Sequence, residues 1–298
     1  MTRVADYIVR FLADKGICHV FMVTGGGAMH LNDAFGREKR MKVVCCHHEQ
    51  SCAMAADSYV RLSGKVAAVT VTTGPGGTNA ITGVWGAYMD SLPMIVISGQ
   101  VKWETLVPST DLPLRQLGDQ EAEIVRIVES MTKYAFLVKD ASTIRYHLEK
   151  AFHLATTGRP GPIWLDIPMN VQGAKISPDN LKGYDPAEDK IKFKTPDLKV
   201  AATHVLEKLK SAKRPVILAG SGIRISGAYS EFLQLVEKLG IPVTTAWNSH
   251  DLIWDDHPLY VGRPGTIGDR PGNFAVQNSD FLLVLGARLS IRQIGYAW

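Results

Sequence analysis

Long hydrophobic runs are absent from this sequence, which limits how it can meet a membrane. No apolar stretch among its 298 residues approaches the roughly 18 residues that a membrane-spanning helix requires. The opening segment, MTRVADYIVRFLADKG, has Asp6 and Asp14 among its apolar positions and no small-residue cleavage site. This pattern predicts an amphipathic helix rather than a signal peptide, so we expect a cytoplasmic protein that does not bind membranes.

Cysteine is also scarce, with four in the chain, and disulfides are not expected in the cytoplasm. Three of the four, Cys45, Cys46 and Cys52, lie beside His47 and His48, a combination that suggests a metal site. Adjacent residues of a strand point to opposite faces, however, and no second CxxC or HxxxH pair is present. We therefore predict that these thiols are buried and that the chain itself holds no metal ion.

Concentrated positive charge is missing too, although the formal net charge is +4. The basic residues are scattered, so we predict no nucleic-acid partner. The sequence contains neither a Walker A motif nor a complete GxGxxG fingerprint, because in ILAGSGIRISGAY the glycines Gly220 and Gly222 are followed by Ile225 at the third position. A nicotinamide-dependent dehydrogenase is therefore disfavoured.

What the sequence does contain is an alternation of strand-like and helix-like segments up to residue 168. The strand candidates are short and apolar nearly throughout, as in a parallel sheet covered on both faces; they are His19–Val23, Lys42–Cys46, Val66–Thr72, Met94–Ser98 and Ile163–Ile167. The helix candidates are Val4–Lys15, His30–Arg37, Glu49–Leu62, Asn79–Met89, Glu121–Val128 and Ser142–Thr156. This alternation predicts a doubly wound α/β domain with a parallel sheet over residues 1–168.

The composition then changes. Residues 169–197 are polar, rich in lysine and punctuated by three prolines, so we interpret them as a surface linker. Residues 198–298 predict a Rossmann-like second α/β domain that looks incomplete at its C-terminal end. Its candidate elements are helix Leu198–Leu209, strand Pro215–Ala219, helix Tyr229–Leu239, strand Pro242–Ala246 and strand Asp280–Leu285.

Two glycine-rich loops stand at strand-to-helix junctions of the first domain. In VTGGGAMHL, Gly25 and Gly26 let the backbone approach a ligand closely just before a helix N-terminus. In VTTGPGGTNAITG, Pro75 fixes a turn position and Asn79 can cap the next helix. Either loop alone is compatible with a plain tight turn, but two loops at neighbouring strand ends favour a ligand cleft.

Glu49 is the unusual residue of CCHHEQSCAMAADSYVR. A helix starting there places it on one face with Ala53, Ala56 and Val60, all small or apolar. Burial disfavours a charged carboxyl, whereas the first turn of a helix favours an anion. A carboxyl balanced between two states suits proton transfer. The alternative is a glutamate that simply binds backbone amides at the start of the helix, and the periodicity does not decide between the two.

Together with GRPGPIWLDIPMNV further on, these segments resemble the pyrimidine-binding domain of thiamine-diphosphate-dependent enzymes, in particular acetolactate synthase large subunits and related decarboxylase-carboligases. RPVILAGSGI and NSDFLLVLGARLSIRQ resemble the central domain of that family. The resemblance implies thiamine diphosphate as cofactor and a 2-keto acid as substrate. It also implies that Glu49 meets N1′ of the aminopyrimidine and activates the cofactor.

Other residues match the family pattern in the same way. Gly25 and Gly26 match the paired glycines that approach the cofactor, and Pro75 and Asn79 match positions near the pyrimidine. Gln120 matches a glutamine that faces the substrate. The resemblance further implies a homodimer or homotetramer, since the active site of relatives lies between two subunits.

The sequence departs from the acetolactate synthase pattern at several points. GDQE replaces a Phe-Gln-Glu loop, Gly27 stands in place of an alanine, and LSIRQ replaces a pair of aspartates. A different acceptor substrate is therefore open, as is binding of FAD. The Gly-Asp-Gly…Asn motif through which the family binds the diphosphate and Mg2+ does not occur in these residues.

Three interpretations follow from that absence. The chain is the N-terminal part of a longer decarboxylase or carboligase, or it is a subunit that pairs with a separate diphosphate-binding polypeptide. The third is a non-catalytic binding or regulatory module of the same fold.

Overall fold

The computed structural model describes residues 1–189 and 196–296, and the chain divides into two compact units between Ile191 and Lys192. The strands of the first unit are β1 (Thr2–Arg3), β2 (His19–Met22), β3 (Lys42–Cys45), β4 (Ala67–Val71), β5 (Met94–Gln100), β6 (Ala135–Leu137), β7 (Ile163–Pro168) and β8 (Lys175–Ile176). Its helices are α1 (Val4–Asp14), α2 (Met29–Arg37), α3 (Glu49–Ser63), α4 (Pro75–Asp90), α5 (Ile124–Val128), α6 (Ile144–Thr156) and α7 (Met169–Gly173).

The centre of the first unit is a six-stranded parallel sheet in the order β3-β2-β4-β5-β7-β6. Alternate residues of its strands face two separate cores. Ala68 and Ile95 pack with α1, α2 and α6 on one side, whereas Val69 and Val96 pack with α3, α4 and α5 on the other. Covering of both faces explains why the strands are apolar at nearly every position, and it confirms the predicted doubly wound α/β class.

The five predicted strands of this sheet and the six predicted helices are present, with ends shifted by a few residues. The sixth strand, β6, was not predicted. It is a three-residue strand at the edge of the sheet, and a strand of that length leaves almost no periodic signal in a sequence.

Residues 169–189 differ from the predicted linker. They form α7 and β8, and β8 pairs antiparallel with β1 at the start of the chain. Val171, Gln172 and Ile176 are buried, because this segment closes over the core that contains α1. Residues 190–195 of the predicted linker lie outside the described residues.

The second unit contains a smaller parallel sheet in the order β10-β9-β11. Its strands are β9 (Pro215–Ala219), β10 (Val243–Thr245) and β11 (Phe281–Leu285), and its helices are α8 (Leu198–Ser211), α9 (Gly222–Ile225), α10 (Tyr229–Leu239), α11 (Arg270–Asn278) and α12 (Ile291–Ile294). The predicted elements are all present, and α9, α11 and α12 were not predicted. None of the helices described in either unit is long and apolar enough to span a bilayer.

Candidate active site

The strand order of the first unit brings the predicted site residues together at the carboxyl-terminal ends of the strands. The loops after β3, β2 and β4 leave the carboxyl ends of three neighbouring strands. After β2 the chain crosses to β3 on one side and then to β4 on the other, so the strand order reverses at β2. Ligands of open α/β sheets bind at such a point. The two glycine loops and Glu49 meet there.

Glu49 is the first residue of α3 and is 9% exposed. The preceding His48 caps the helix, since its Nδ1 accepts a hydrogen bond from the backbone N–H of Gln50 at 3.1 Å. Glu49 lies on the same buried face as Ala53, Ala56 and Val60, as predicted. The cap is therefore made by His48, which leaves the Glu49 carboxylate available for other partners.

Asn79 is the partner of Glu49 from the neighbouring helix α4. Its Nδ2 donates a hydrogen bond of 3.0 Å to Glu49 Oε2. The other oxygen, Oε1, lies 3.5 Å from the position that a Cβ on Gly76 would occupy. The carboxylate is thus fixed through one oxygen, and its second oxygen lies beside a glycine of the GPGG loop.

The first glycine loop packs against the second. A Cβ on Gly25 would lie 2.5 Å from Thr72 Cβ, and a Cβ on Gly27 would collide with Thr73 Oγ1. At Gly26, by contrast, a Cβ would meet nothing within 4 Å. Gly25 and Gly27 are therefore glycines because the two loops pack too closely there for a side chain, while Gly26 borders open space.

Pro75 begins α4, where the missing backbone N–H costs no helical hydrogen bond. The preceding Gly74 has φ of 58°, in the left-handed region that favours glycine. A Cβ there would collide with the backbone oxygen of Gln120. This contact brings the segment containing Gln120 next to the GPGG loop, and the Gln120 side chain is exposed.

Two residues that hold the first glycine loop were missed in the sequence. Gln172 of α7 is fully buried and donates from Nε2 to the carbonyl of Gly27 at 2.7 Å. Asn32 of α2 donates from Nδ2 to the carbonyl of Gly25 at 3.2 Å. Neither was found because Gln172 lies in the segment predicted to be a linker and Asn32 in an ordinary amphipathic helix.

The cysteine and histidine cluster forms no metal centre in the residues that are described, where no group of three or more His, Cys, Asp or Glu side chains is arranged around a common point. Cys52 is buried as predicted and burial raises the pKa of its thiol to about 12. Cys45 is exposed, so its predicted burial is wrong. Cys45 ends β3, which is an outermost strand of the sheet in the part of the chain that the structure describes.

The second unit contains a cavity of about 510 Å³. It lies between α11 and α12, with Arg270, Phe274 and Arg292 on its wall. Arg270 also stacks over the ring of Phe274, with 5.3 Å between the guanidinium carbon and the ring centroid. The cavity therefore offers cationic groups and an aromatic face, which are suited to an anionic or aromatic ligand.

Comparison with known proteins places both units in one class. Residues 2–122 match the family profile described as thiamine pyrophosphate enzyme, N-terminal TPP binding domain. Residues 202–298 match the profile described as thiamine pyrophosphate enzyme, central domain. The chain therefore contains the N-terminal TPP binding domain and the central domain of the thiamine pyrophosphate enzymes, which confirms the resemblance seen in its motifs.

Acetolactate synthases are among the similar proteins. The chain is 35% identical over 302 residues to a "Probable acetolactate synthase large subunit" of Methanocaldococcus jannaschii, covering 98% of this chain and 48% of that protein. It is 34% identical over 295 residues to the acetolactate synthase isozyme 3 large subunit of Escherichia coli, covering 97% and 49%. The corresponding Lactococcus lactis subunit is 32% identical over 298 residues, with 98% and 49% covered. The chain thus spans about half the length of these curated relatives.

Proposed function

We propose that this chain supplies the pyrimidine-binding half of a thiamine-diphosphate-dependent carboligase that acts on 2-keto acids. The supporting observation is the buried Glu49 at the carboxyl ends of β3, β2 and β4, held by Asn79 through one oxygen and bordered by Gly76 at the other. The acetolactate synthase relatives support the reaction class.

The residues at this edge fit an aminopyrimidine. Side chains at Gly25 or Gly76 would collide with Thr72, so the two loops pack closely there, and Gly26 presents its backbone to open space. Backbone groups and a buried carboxyl offer the hydrogen-bond donors and acceptors that a flat heterocycle with ring nitrogens and an amino group needs. Gly25, Gly26, Pro75 and Asn79 would hold this group.

Glu49 has the chemical role in this proposal. Asn79 keeps Oε2 engaged as an acceptor, so proton exchange with the ring falls to Oε1. Low exposure of the carboxyl excludes water that would otherwise compete for that proton. Thiamine diphosphate, when bound, supplies the electron sink for decarboxylation of a 2-keto acid.

Gln120 is proposed to face the substrate from the segment that contacts Gly74. Asp119 precedes it and is exposed, in a loop where the synthase pattern has an aromatic residue. An acidic side chain there disfavours an apolar acceptor and leaves room for a polar one. Turnover of pyruvate with a panel of polar and apolar carbonyl acceptors will test this.

The diphosphate and Mg2+ are proposed to be held by residues outside this sequence, either in a continuation of the same polypeptide or in a separate subunit. Reconstitution distinguishes the alternatives. Activity that appears only on mixing with a diphosphate-binding polypeptide supports the two-subunit arrangement, and no gain on mixing contradicts it.

A surface of α3 and α4 is suited to such a partner or to a second copy of the chain. Met54, Trp85, Tyr88 and Met89 are 39–46% exposed, and Trp85 and Met89 are four residues apart on α4. Exposed apolar side chains of this kind mark association surfaces. Trp85→Glu is expected to lower the associated fraction in light scattering, while Leu62→Glu at the end of α3 serves as the matched control.

FAD and the compartment remain part of the proposal. The Arg270–Arg292 cavity is the place where we expect FAD, with the arginines facing its phosphates and Phe274 its rings. Loss of FAD binding in Arg292→Ala would support this site.

Cys18 and Cys45 are exposed free thiols, which favours a reducing compartment such as the cytoplasm.

The decisive experiment for the main proposal uses Glu49→Gln in the enzyme that contains this chain and its diphosphate-binding part. We expect exchange of the thiazolium C2 proton to fall by about 10²-fold or more, the range of general acid–base contributions, with the circular dichroism spectrum retained. Glu207→Gln on the exposed face of α8 is the matched control. Unchanged exchange would exclude Glu49 and favour a non-catalytic module.

A further inference from the structure

A second buried polar cluster lies at the same edge of the sheet, at the ends of β5 and β7. Ser98, Gln100, Trp164 and Asp166 are each at most 2% exposed. Ser98 Oγ donates to Asp166 Oδ1 at 2.5 Å, and Trp164 Nε1 donates to Ser98 Oγ at 2.8 Å. Gln100 Nε2 donates to Asp166 Oδ2 at 3.0 Å. The Asp166 carboxyl therefore fixes the position of the Gln100 side chain.

Gln100 also reaches out of this cluster. Its Nε2 donates a second hydrogen bond, of 3.1 Å, to the carbonyl of Ala122, and its Oε1 accepts from the N–H of Val101 at 3.0 Å. Every polar group of the side chain is thus used. Since Ala122 lies two residues after Gln120, Gln100 connects the sheet to the segment that carries Gln120.

That segment has a strained backbone. Gln120 has φ of 57°, uncommon for a residue other than glycine, and its carbonyl packs against Gly74, which has φ of 58°. Such conformations persist where surrounding contacts fix them. Glu121 supplies one set of contacts, because its carboxylate accepts from the N–H groups of Val107 and Leu117 at 3.0 Å each, and also from Gly118.

Packing alone does not hold the segment in place. A cavity of about 270 Å³ lies beneath it, lined by residues that include Gln100, Leu106, Pro108, Glu121 and Asp166. Along this cavity the segment has no protein atoms packed against it, so it lacks the dispersion contacts of a filled core. The hydrogen bonds that Glu121 accepts and that Gln100 donates therefore contribute to its position.

We propose that Gln100, held by Asp166, is a positioning residue that fixes Gln120 against the GPGG loop. The Glu121 bonds fold the segment on itself, whereas the Gln100–Ala122 bond attaches it to the sheet. The described hydrogen bonds of Gln100 go to Asp166, Ala122 and Val101, so we expect the effect on the Gln120 side of the site. The consequence for substrate rests on the proposed function, but the positioning itself does not.

The first test measures hydrogen–deuterium exchange of residues 106–123 in the chain itself. Gln100→Met keeps the volume and removes both donated bonds, so exchange is expected to rise by about fivefold or more through local opening. Gln234→Met, on the exposed face of α10, is the matched control. Exchange equal to that of the wild type would overturn the proposal, whatever the function of the protein.

Two further variants make this test specific. Asp166→Asn retains an oxygen for Gln100, and its amide can donate to Ser98, so residues 106–123 are expected to stay protected. Asp166→Leu is expected to release them. If Gln100→Met does not fold, Gln100→Leu tests the same bond, because its side chain has no group that can donate to Ala122; wild-type protection in that variant also overturns the proposal.

Kinetics of the assembled enzyme provide the functional readout. In Gln100→Met we expect the KM of the 2-keto acid to rise about tenfold, with a smaller change in kcat and an unchanged Kd for thiamine diphosphate. Asp166→Asn should retain the wild-type KM. Faster exchange without any KM change would separate the two claims, leaving the positioning intact and removing the substrate role of Gln120.

Discussion

Asn79 and Glu49 are separated by 30 residues, yet Asn79 Nδ2 donates to Glu49 Oε2 at 3.0 Å. The bond joins the first residue of α3 to the fifth residue of α4, just after the GPGG segment. It leaves Oε1 as the oxygen directed toward Gly76. One hydrogen bond therefore makes the two oxygens of the buried carboxylate inequivalent.

Asn79→Ala should weaken the site without unfolding it. The carboxylate loses its donor, and the Kd of thiamine diphosphate in the assembled enzyme is expected to rise about tenfold, equivalent to about 1.4 kcal/mol. Isothermal titration calorimetry measures this, with Asn180→Ala on the exposed surface as the control. Equal affinity in the two variants would show that the bond does not orient Glu49.

Gly27→Ala should destabilise the first unit by roughly 1–3 kcal/mol, because the new methyl group collides with Thr73 Oγ1. Thr73→Ala removes that oxygen. We expect the double variant Gly27→Ala/Thr73→Ala to recover part of the loss, with a coupling of roughly 0.5–3 kcal/mol. Urea unfolding of the wild type, the two single variants and the double variant gives the coupling energy. Strictly additive effects would mean that residue 27 and residue 73 do not interact sterically.

Ala53→Leu tests the contact between α3 and α4. Ala53 is fully buried, and a Cβ on Gly83 would lie 2.5 Å from its Cβ, so the two helices touch through their backbones. A leucine there is expected to cost roughly 1–3 kcal/mol in the free energy of unfolding. Ser58→Leu, at an exposed position of the same helix, should change it by less than about 0.5 kcal/mol.

The pH dependence of stability should change in Asp166→Asn. Burial raises the pKa of Asp166 to about 7 from 3.8, so between these values the folded state keeps a proton that the unfolded state has lost. Stability from this group is fully present below pH 3.8 and is lost as pH rises to about 7. The amide of the variant cannot titrate, so the variant should lack this loss.

His147 affects the pH dependence of stability in the opposite direction, over nearly the same pH range. Burial lowers its pKa to about 4 from 6.5, so its contribution is present above pH 6.5 and is lost as pH falls through about 4. Removing the Asp166 carboxyl should therefore make stability rise more steeply between pH 4 and 6.5. Urea midpoints measured from about pH 4.5 to 7.5 will show this, and parallel curves for variant and wild type would contradict the assignment.

Local patterns in the sequence predicted the fold class of the first unit, and the resemblance to thiamine-diphosphate-dependent enzymes completed the set of candidate site residues. Runs of apolar residues marked the strands, and the spacing of Glu49, Ala53, Ala56 and Val60 defined a buried face, because each depends on neighbours close in the chain. The glycine loops and Glu49 were identified as candidates in the same way. The short strand β6 and the packing of residues 169–189 were not predicted, because both depend on pairing with strands that are distant in sequence.

Only the tertiary structure decided how the site is held. The Asn79–Glu49 bond, the anchoring of Gly27 by Gln172 and the link from Asp166 through Gln100 to Ala122 each join residues far apart in sequence. A side-chain amide can bond to any buried acceptor within reach, so its residue type does not specify its partner. The parallel sheet determines these partners, because it brings the carboxyl ends of its strands together on one side of the domain.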